Sequence, residues 1–161
     1  MIGRIYSYLE EKVREDSKEG RHKAVITKAS ILLFLGTWPY YYNMRGSAYY
    51  HLKEYKKAIR DCTKAIYINP SEWSFYSSRA GAYFATEQYD LALADYDKAV
   101  SLIPNKLISN RISLFVACAY AYIKMNDYEK TIPEYTKAIE LSPDNADLYD
   151  WRGYAYAKVR L

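Results

Sequence analysis

The chain repeats itself. Tyr42, Gly46, Ala48 and Tyr49 recur as Tyr76, Ala80, Ala82 and Tyr83, a shift of 34 residues. The same shift carries Tyr55 to Tyr89, Ala58 to Ala92, Ala65 to Ala99 and Pro70 to Pro104. A further shift of 39 yields Phe115, Ala119, Ala121, Tyr122, Tyr128, Ala138 and Pro143. A last shift of 34 yields Tyr149, Gly153, Ala155 and Tyr156. A period of this size marks a chain that stacks copies of one small unit, none of which can bury its apolar side alone.

Each unit reads as two helices. Tyr42, Arg45, Gly46 and Tyr49 fall at i, i+3, i+4 and i+7, one stripe of a helix. A second helix, about 54 to 68, carries Ala58, Ile59, Cys62, Ala65 and Ile66 on its own stripe. Gly46 facing Ala58 and Ala65 lets the two backbones approach, and tyrosines fill the space at either end. "INPSEW", "IPNK" and "SPDNAD" end the second helices, because proline lacks the N–H and its preceding residue avoids helical angles.

"YNMRGSAYYHLKEYKKAIRDCTKAIYINP", "YSSRAGAYFATEQYDLALADYDKAVSLIP" and "FVACAYAYIKMNDYEKTIPEYTKAIELSP" together resemble the tetratricopeptide repeat. The resemblance implies an all-α, right-handed superhelical solenoid of antiparallel helix pairs. It divides the single repeat domain, 1–161, into full repeats at 39–72, 73–106 and 112–145, with a terminal half repeat at 146–161. Residues 3–38 are expected to form a degenerate repeat or two capping helices: Tyr6, Leu9 and Val13 sit at helical spacing, and "REDSKEGRH" reads as a charged connection. "LISNR" (107–111) is an excess expected to lengthen the first helix of the third unit, and Pro133 should bend its second helix.

Composition removes several function classes. Of 161 residues, 20 are tyrosine, a half-polar core residue, and the net charge of +4 is too mild to demand nucleic acid. Cys62 and Cys118 stand apart among apolar neighbours, as small buried residues of a reducing compartment, and a cytoplasmic location is expected. His22 and His51 have no further ligand at metal spacing. "ILLFL" (31–35), the one dense apolar run, is too short to span a bilayer and reads as a buried helix. No glycine-rich phosphate loop and no nucleophile–base constellation is present, so no enzyme and no cofactor is expected.

What remains is binding. With Tyr42, Gly46 and Tyr49 turned inward, the opposite side of that helix carries Tyr40, Met44, Ser47 and His51, flanked by Asn43 and Tyr50. In the family that the chain resembles, this side lines a concave groove that holds peptides. The corresponding residues are Ser74, Ser77, Ser78 and Phe84 in the next unit, Ser113, Tyr120 and Lys124 in the third, and Asp147, Trp151 and Tyr154 in the last. The groove is thus aromatic and hydroxyl-rich. The cationic clamp by which chaperone-adaptor members hold a C-terminal carboxylate is missing: Asn43, Ser47, Ser78, Ser113 and Ala117 occupy its positions. The resemblance implies an adaptor or scaffold that binds a peptide or helix of another protein. A structural subunit or self-associating repeat protein is the alternative, and an RNA-binding helical repeat is disfavoured by diffuse basic charge.

Two further expectations concern charge and the end of the chain. Arg45 and Arg79 lie on the inward stripe, and Asp61 and Asp95 follow each by sixteen residues, so an ion pair should bridge the two helices of each unit. In the third unit Cys118 replaces the arginine while Glu134 remains. "ADLYDWRGYAYAKVRL" has the inward stripe of a first helix, Tyr149, Arg152, Gly153 and Tyr156, without a second helix to cover it. That face should meet another chain, a copy included, or sequence beyond Leu161.

Overall fold

The computed structural model of the chain describes residues 2–36 and 38–160, and for residues 2 and 3 the backbone alone. Every regular element among them is a helix. They are α1 (Ile2–Lys18), α2 (His22–Leu35), α3 (Pro39–His51), α4 (Tyr55–Ile68), α5 (Trp73–Ala85), α6 (Tyr89–Leu102), α7 (Ile108–Lys124), α8 (Tyr128–Leu141) and α9 (Ala146–Val159). Each packs chiefly on the helix before and the helix after it, and α3 also meets α5. The result is an all-α solenoid of stacked hairpins.

Helix ends follow the chemistry of proline. The N–H groups of Asn69, Ile103 and Ser142 donate to Ala65, Ala99 and Ala138, and the next residues that would continue the ladder are at or beside Pro70, Pro104 and Pro143. Pro39 opens α3 at the position where a missing N–H loses nothing.

The turns inside the units use a device that the sequence did not announce. Lys53, Glu87 and Asn126 have φ of 61°, 60° and 60°, the left-handed region usually left to glycine. After each, an N–H reaches back five residues: Glu54 to Tyr49, Gln88 to Tyr83 and Asp127 to Tyr122, each at 2.9 Å. The left-handed residues themselves donate to Tyr50, Phe84 and Ile123. This is the Schellman motif, repeated at each turn, and it reverses the chain within three residues.

The core is a row of small residues between rings. Gly46 is the tightest point: a Cβ built there would lie 2.8 Å from Cys62 Sγ and 3.3 Å from the Ala58 carbonyl oxygen. Ala80 and Ala119 hold the same place in the next units and are fully buried. A middle cluster joins Tyr76, Leu93, Tyr96, Leu114 and Cys118, and a later one joins Phe115, Tyr135, Ile139 and Leu148.

Several expectations need correction. "REDSKEGRH" is not one connection: residues 14–18 complete α1, and only 19–21 join the helices. Asp16, within it, is buried and bonded by Arg21 Nε at 2.7 Å and by the Lys28 ammonium. "ILLFL" is helical but not a buried helix. Leu32 is buried, whereas Ile31 and Leu35 are exposed and Phe34 is 90% exposed. The reason is neighbours: only the Val25–Ala29–Leu32 face of α2 has α1 and α3 to pack on. α7 is 17 residues long against 13 for α3 and α5, as the excess before it foretold. α8 runs without interruption through Pro133.

Candidate functional site

One face of the stack is shared by α3, α5 and α7. Between α3 and α5 lies a depression of about 240 Å³ lined by Ser47, Tyr50, His51, Ser77, Ser78 and Gly81. Gly81 keeps it open: a Cβ there would already reach the Tyr50 ring at 3.8 Å. Between α5 and α7 lies a second depression of about 260 Å³, lined by Trp73, Ser77, Tyr96, Asn110, Ser113, Leu114 and Ala117. Ser77 borders both, so the two form one track across three successive first helices.

Aromatic rings edge this track. Phe84 stacks on Tyr120 with centroids 5.4 Å apart and planes at 28°, which ties α5 to α7. Tyr50 packs against Tyr55, and Phe84 also against Tyr89, closing the helix turns. Tyr120 remains exposed, with the Lys124 ammonium 5.3 Å from its ring centre. On α9, Trp151 and Tyr154 meet edge to face at 6.2 Å, both exposed, beside Asp147 in the first turn.

Not every residue expected on this face is free to serve it. Met44 is only 8% exposed and belongs to the N-terminal core with Val13, Val25, Ala29 and Leu32. Asn43 turns toward α4, where its Oδ1 accepts from Cys62 Sγ at 3.7 Å. The Ser74 hydroxyl donates to Glu72 at 2.8 Å, part of the cap of α5. Tyr40 is exposed and packs edge-on to its neighbour Tyr41. Conversely, Trp73, Tyr96 and Asn110 enter the track from positions outside the expected stripe. The Tyr96 hydroxyl, its pKa pushed up to about 12 by burial, stays protonated and can donate.

Histidines and cysteines take no ligand-like geometry. His22 and His51 are brought together from α2 and α3 and stack at 4.5 Å with planes at 10°. Burial, then the neighbouring His22, lowers the His51 pKa and favours the neutral ring. Cys62 and Cys118 are buried, and burial pushes both thiols up to about 12, far from the thiolate form. Among the described residues no helix is long and apolar enough to cross a membrane.

The expected arginine pairs are present. Arg45 Nε and Nη2 donate to Asp61 Oδ2 and Oδ1 at 2.6 and 3.0 Å, and Arg79 does the same to Asp95 at 2.7 and 2.8 Å. Their third nitrogen, Nη1, donates to a hydroxyl of the preceding hairpin, Ser30 for Arg45 and Thr63 for Arg79. Where Cys118 replaces the arginine, Glu134 is instead bonded by Lys137 at 2.6 Å.

Family models match three stretches of the chain: "Tetratricopeptide repeat" at residues 39–72 and 74–106, and "TPR repeat" at 119–159. No curated protein is significantly similar to it. Among solved structures, a crystal structure of MamA protein superposes with a TM-score of 0.84 at 18% identity, over 99% of this chain and 85% of that one. The first such domain of Spaghetti (RPAP3), bound to the HSP90 peptide SRMEEVD, gives 0.67 at 21%, over 76% and 94%. The corresponding domain of Arabidopsis OM64 gives 0.63 at 21%, over 73% and 93%. These likenesses are of fold. With its repeats matched by the family's own models over 39–72, 74–106 and 119–159, the chain belongs to the tetratricopeptide repeat family.

Proposed function

We propose that the chain is a non-enzymatic adaptor that holds a peptide or helix of another protein along the α3–α5–α7 face. The observation that carries this reading is the continuous track formed by the two depressions that meet at Ser77. Its walls offer hydroxyls from Ser47, Ser77, Ser78 and Ser113 and exposed or half-exposed rings from Tyr50, Phe84 and Tyr120. Rigid aromatic anchors beside adaptable hydroxyls suit a ligand of mixed apolar and polar character. Trp151, Tyr154 and Asp147 are exposed on α9, after these three helices.

The ligand differs from an acidic tail. The Spaghetti domain holds a peptide with three carboxylate side chains, SRMEEVD. Here neither depression is lined by lysine or arginine, and Lys124 stands at its margin over Tyr120. The same lack of a basic stripe argues against RNA. Two buried, protonated cysteines support a reducing, cytoplasmic setting and lend no support to thiol catalysis.

A peptide array screened with the intact chain and with Tyr50→Ala/Tyr120→Ala tests this. Peptides should be found whose binding falls by about tenfold or more in the double variant, while its circular dichroism is unchanged. Retention of every hit by that variant would overturn the groove reading.

A further inference from the structure

Basic charge that reads as diffuse along the sequence is gathered on one helix. The exposed residues of α4 are Lys56, Lys57, Arg60, Thr63, Lys64 and Tyr67, with no acid among them. The equivalent places on α6 hold Asp90, Ala94, Asp97 and Ser101 where α4 has Lys56, Arg60, Thr63 and Tyr67. On α8 they hold Glu129, Pro133 and Glu140 where α4 has Lys56, Arg60 and Tyr67. The repeat fold therefore does not require a basic helix at this place. α4 lies within the stack, packed on α3 and α5, so its exposed face is bounded on both sides by the chain's own helices.

The charges on this face are mostly uncommitted. Lys56, Arg60 and Lys64 follow at i, i+4 and i+8, where like charges repel and disfavour a helix. Among the described residues neither Lys56 nor Lys64 meets a carboxylate, and Lys57 is held by Glu54. Arg60 Nε lies 3.8 Å from Asp61, whose oxygens already accept from Arg45. Arg60 and Lys64 also line a depression of about 410 Å³ together with Tyr42, Thr63 and Tyr67. Tyr67 is 79% exposed, and the Lys64 ammonium stands 5.1 Å from its ring centre.

We propose that the exposed face of α4 is a second docking surface, separate from the α3–α5–α7 track, for an extended acidic segment of a partner protein. The segment has carboxylates at alternate positions and an aromatic residue at one end. The spacing argues for this pattern. Lys56, Arg60 and Lys64 span about 12 Å along the helix, and three alternate side chains of an extended strand span about 13 Å. The carboxylates meet the cations, and the flanking ring enters the depression beside Tyr42 and Tyr67. A long polyanion such as RNA fits less well, because beside α4 the next hairpin presents Asp90 and Asp97. A second copy of the chain is not the occupant, since its sequence has no run of three alternating carboxylates.

The test uses the intact chain and a labelled, end-blocked peptide, Phe-Glu-Ser-Glu-Ser-Glu-Phe, whose two rings allow either chain direction. Saturable binding is expected with a Kd of about 10 μM to 1 mM at about 50 mM salt, weakening as salt rises. Arg60→Gln/Lys64→Gln should weaken it about fivefold or more without lowering the thermal melt, since the change relieves repulsion on the helix. Lys106→Gln/Lys158→Gln, which removes the same charge elsewhere, should leave it unchanged, as should Tyr50→Ala/Tyr120→Ala. Phe-Ser-Glu-Glu-Glu-Ser-Phe should bind more weakly, because its carboxylates do not match the spacing of the cations. Absence of binding at millimolar peptide, or binding indifferent to Arg60→Gln/Lys64→Gln, overturns the proposal. Equal loss in Lys106→Gln/Lys158→Gln, or no preference for the alternating peptide, does so as well. Tighter binding of a single-stranded RNA with three phosphates, or self-association of the chain that Arg60→Gln/Lys64→Gln abolishes, overturns it in favour of that occupant.

Discussion

Arg45 and Asp61 join the two helices of one repeat through paired hydrogen bonds, Nε to Oδ2 and Nη2 to Oδ1. The Asp61 side chain is 3% exposed and that of Arg45 16%, so the pair is withdrawn from water. The bond to Asp61 raises the Arg45 pKa further, and the guanidinium stays charged. Arg45→Met should therefore cost about 3 kcal/mol in urea unfolding, because a buried carboxylate is left alone. Arg45→Met/Asp61→Leu should cost clearly less than the sum of the single changes. Equal, additive losses would mean that the two side chains act independently.

Gly46 and Cys62 form a second coupled pair. A methyl at 46 would press on Cys62 Sγ at 2.8 Å, and the Ala58 carbonyl closes the other side. Gly46→Ala should destabilise the chain by about 1–2 kcal/mol despite alanine's helix propensity. In a Cys62→Ala background the same change should be close to neutral, as read from a double-mutant cycle by chemical denaturation.

The left-handed turns are a place to gain stability. Glu87 and Lys53 hold φ of 60° and 61° with a Cβ that this region penalises. Glu87→Gly and Lys53→Gly should each raise stability by up to about 1 kcal/mol. Asn126→Gly should gain less, since asparagine tolerates the conformation better. Thermal melts of the three variants give the ordering directly.

The stacked histidines set a pH dependence. The His51 pKa is lowered from 6.5 by burial and then by His22. The unfolded chain therefore takes up the proton first as pH falls. Stability should be steady above neutrality and decline as pH drops through about 6.5 toward the lower folded value. Comparing urea midpoints at about pH 7.5 and about pH 5.5 checks this, and His51→Gln should flatten the difference between them.

The sequence by itself determined the repeat. The spacing of Tyr42, Gly46 and Tyr49, the alanines of the second helix and the closing prolines are local constraints that act within one hairpin. They sufficed for the helix pairs, for the Arg45–Asp61 and Arg79–Asp95 bridges, and for most of the α3–α5–α7 surface. What sequence could not reach were events between neighbours. His22 and His51 lie far apart in the chain and stack only because α2 and α3 pack side by side. Met44 left the groove because α1 and α2 lie over it, and Phe34 stayed exposed because no helix does. Trp73, Tyr96 and Asn110 joined the track through the stagger of α5, α6 and α7, which no one-dimensional stripe records. The Schellman turns escaped notice for a simpler reason: Lys53 and Glu87 carry no glycine signature, and the surrounding hairpin imposes the left-handed angle on them. Periodicity specifies which face of each helix is buried, but only the stacked neighbours determine what covers that face and what they leave open.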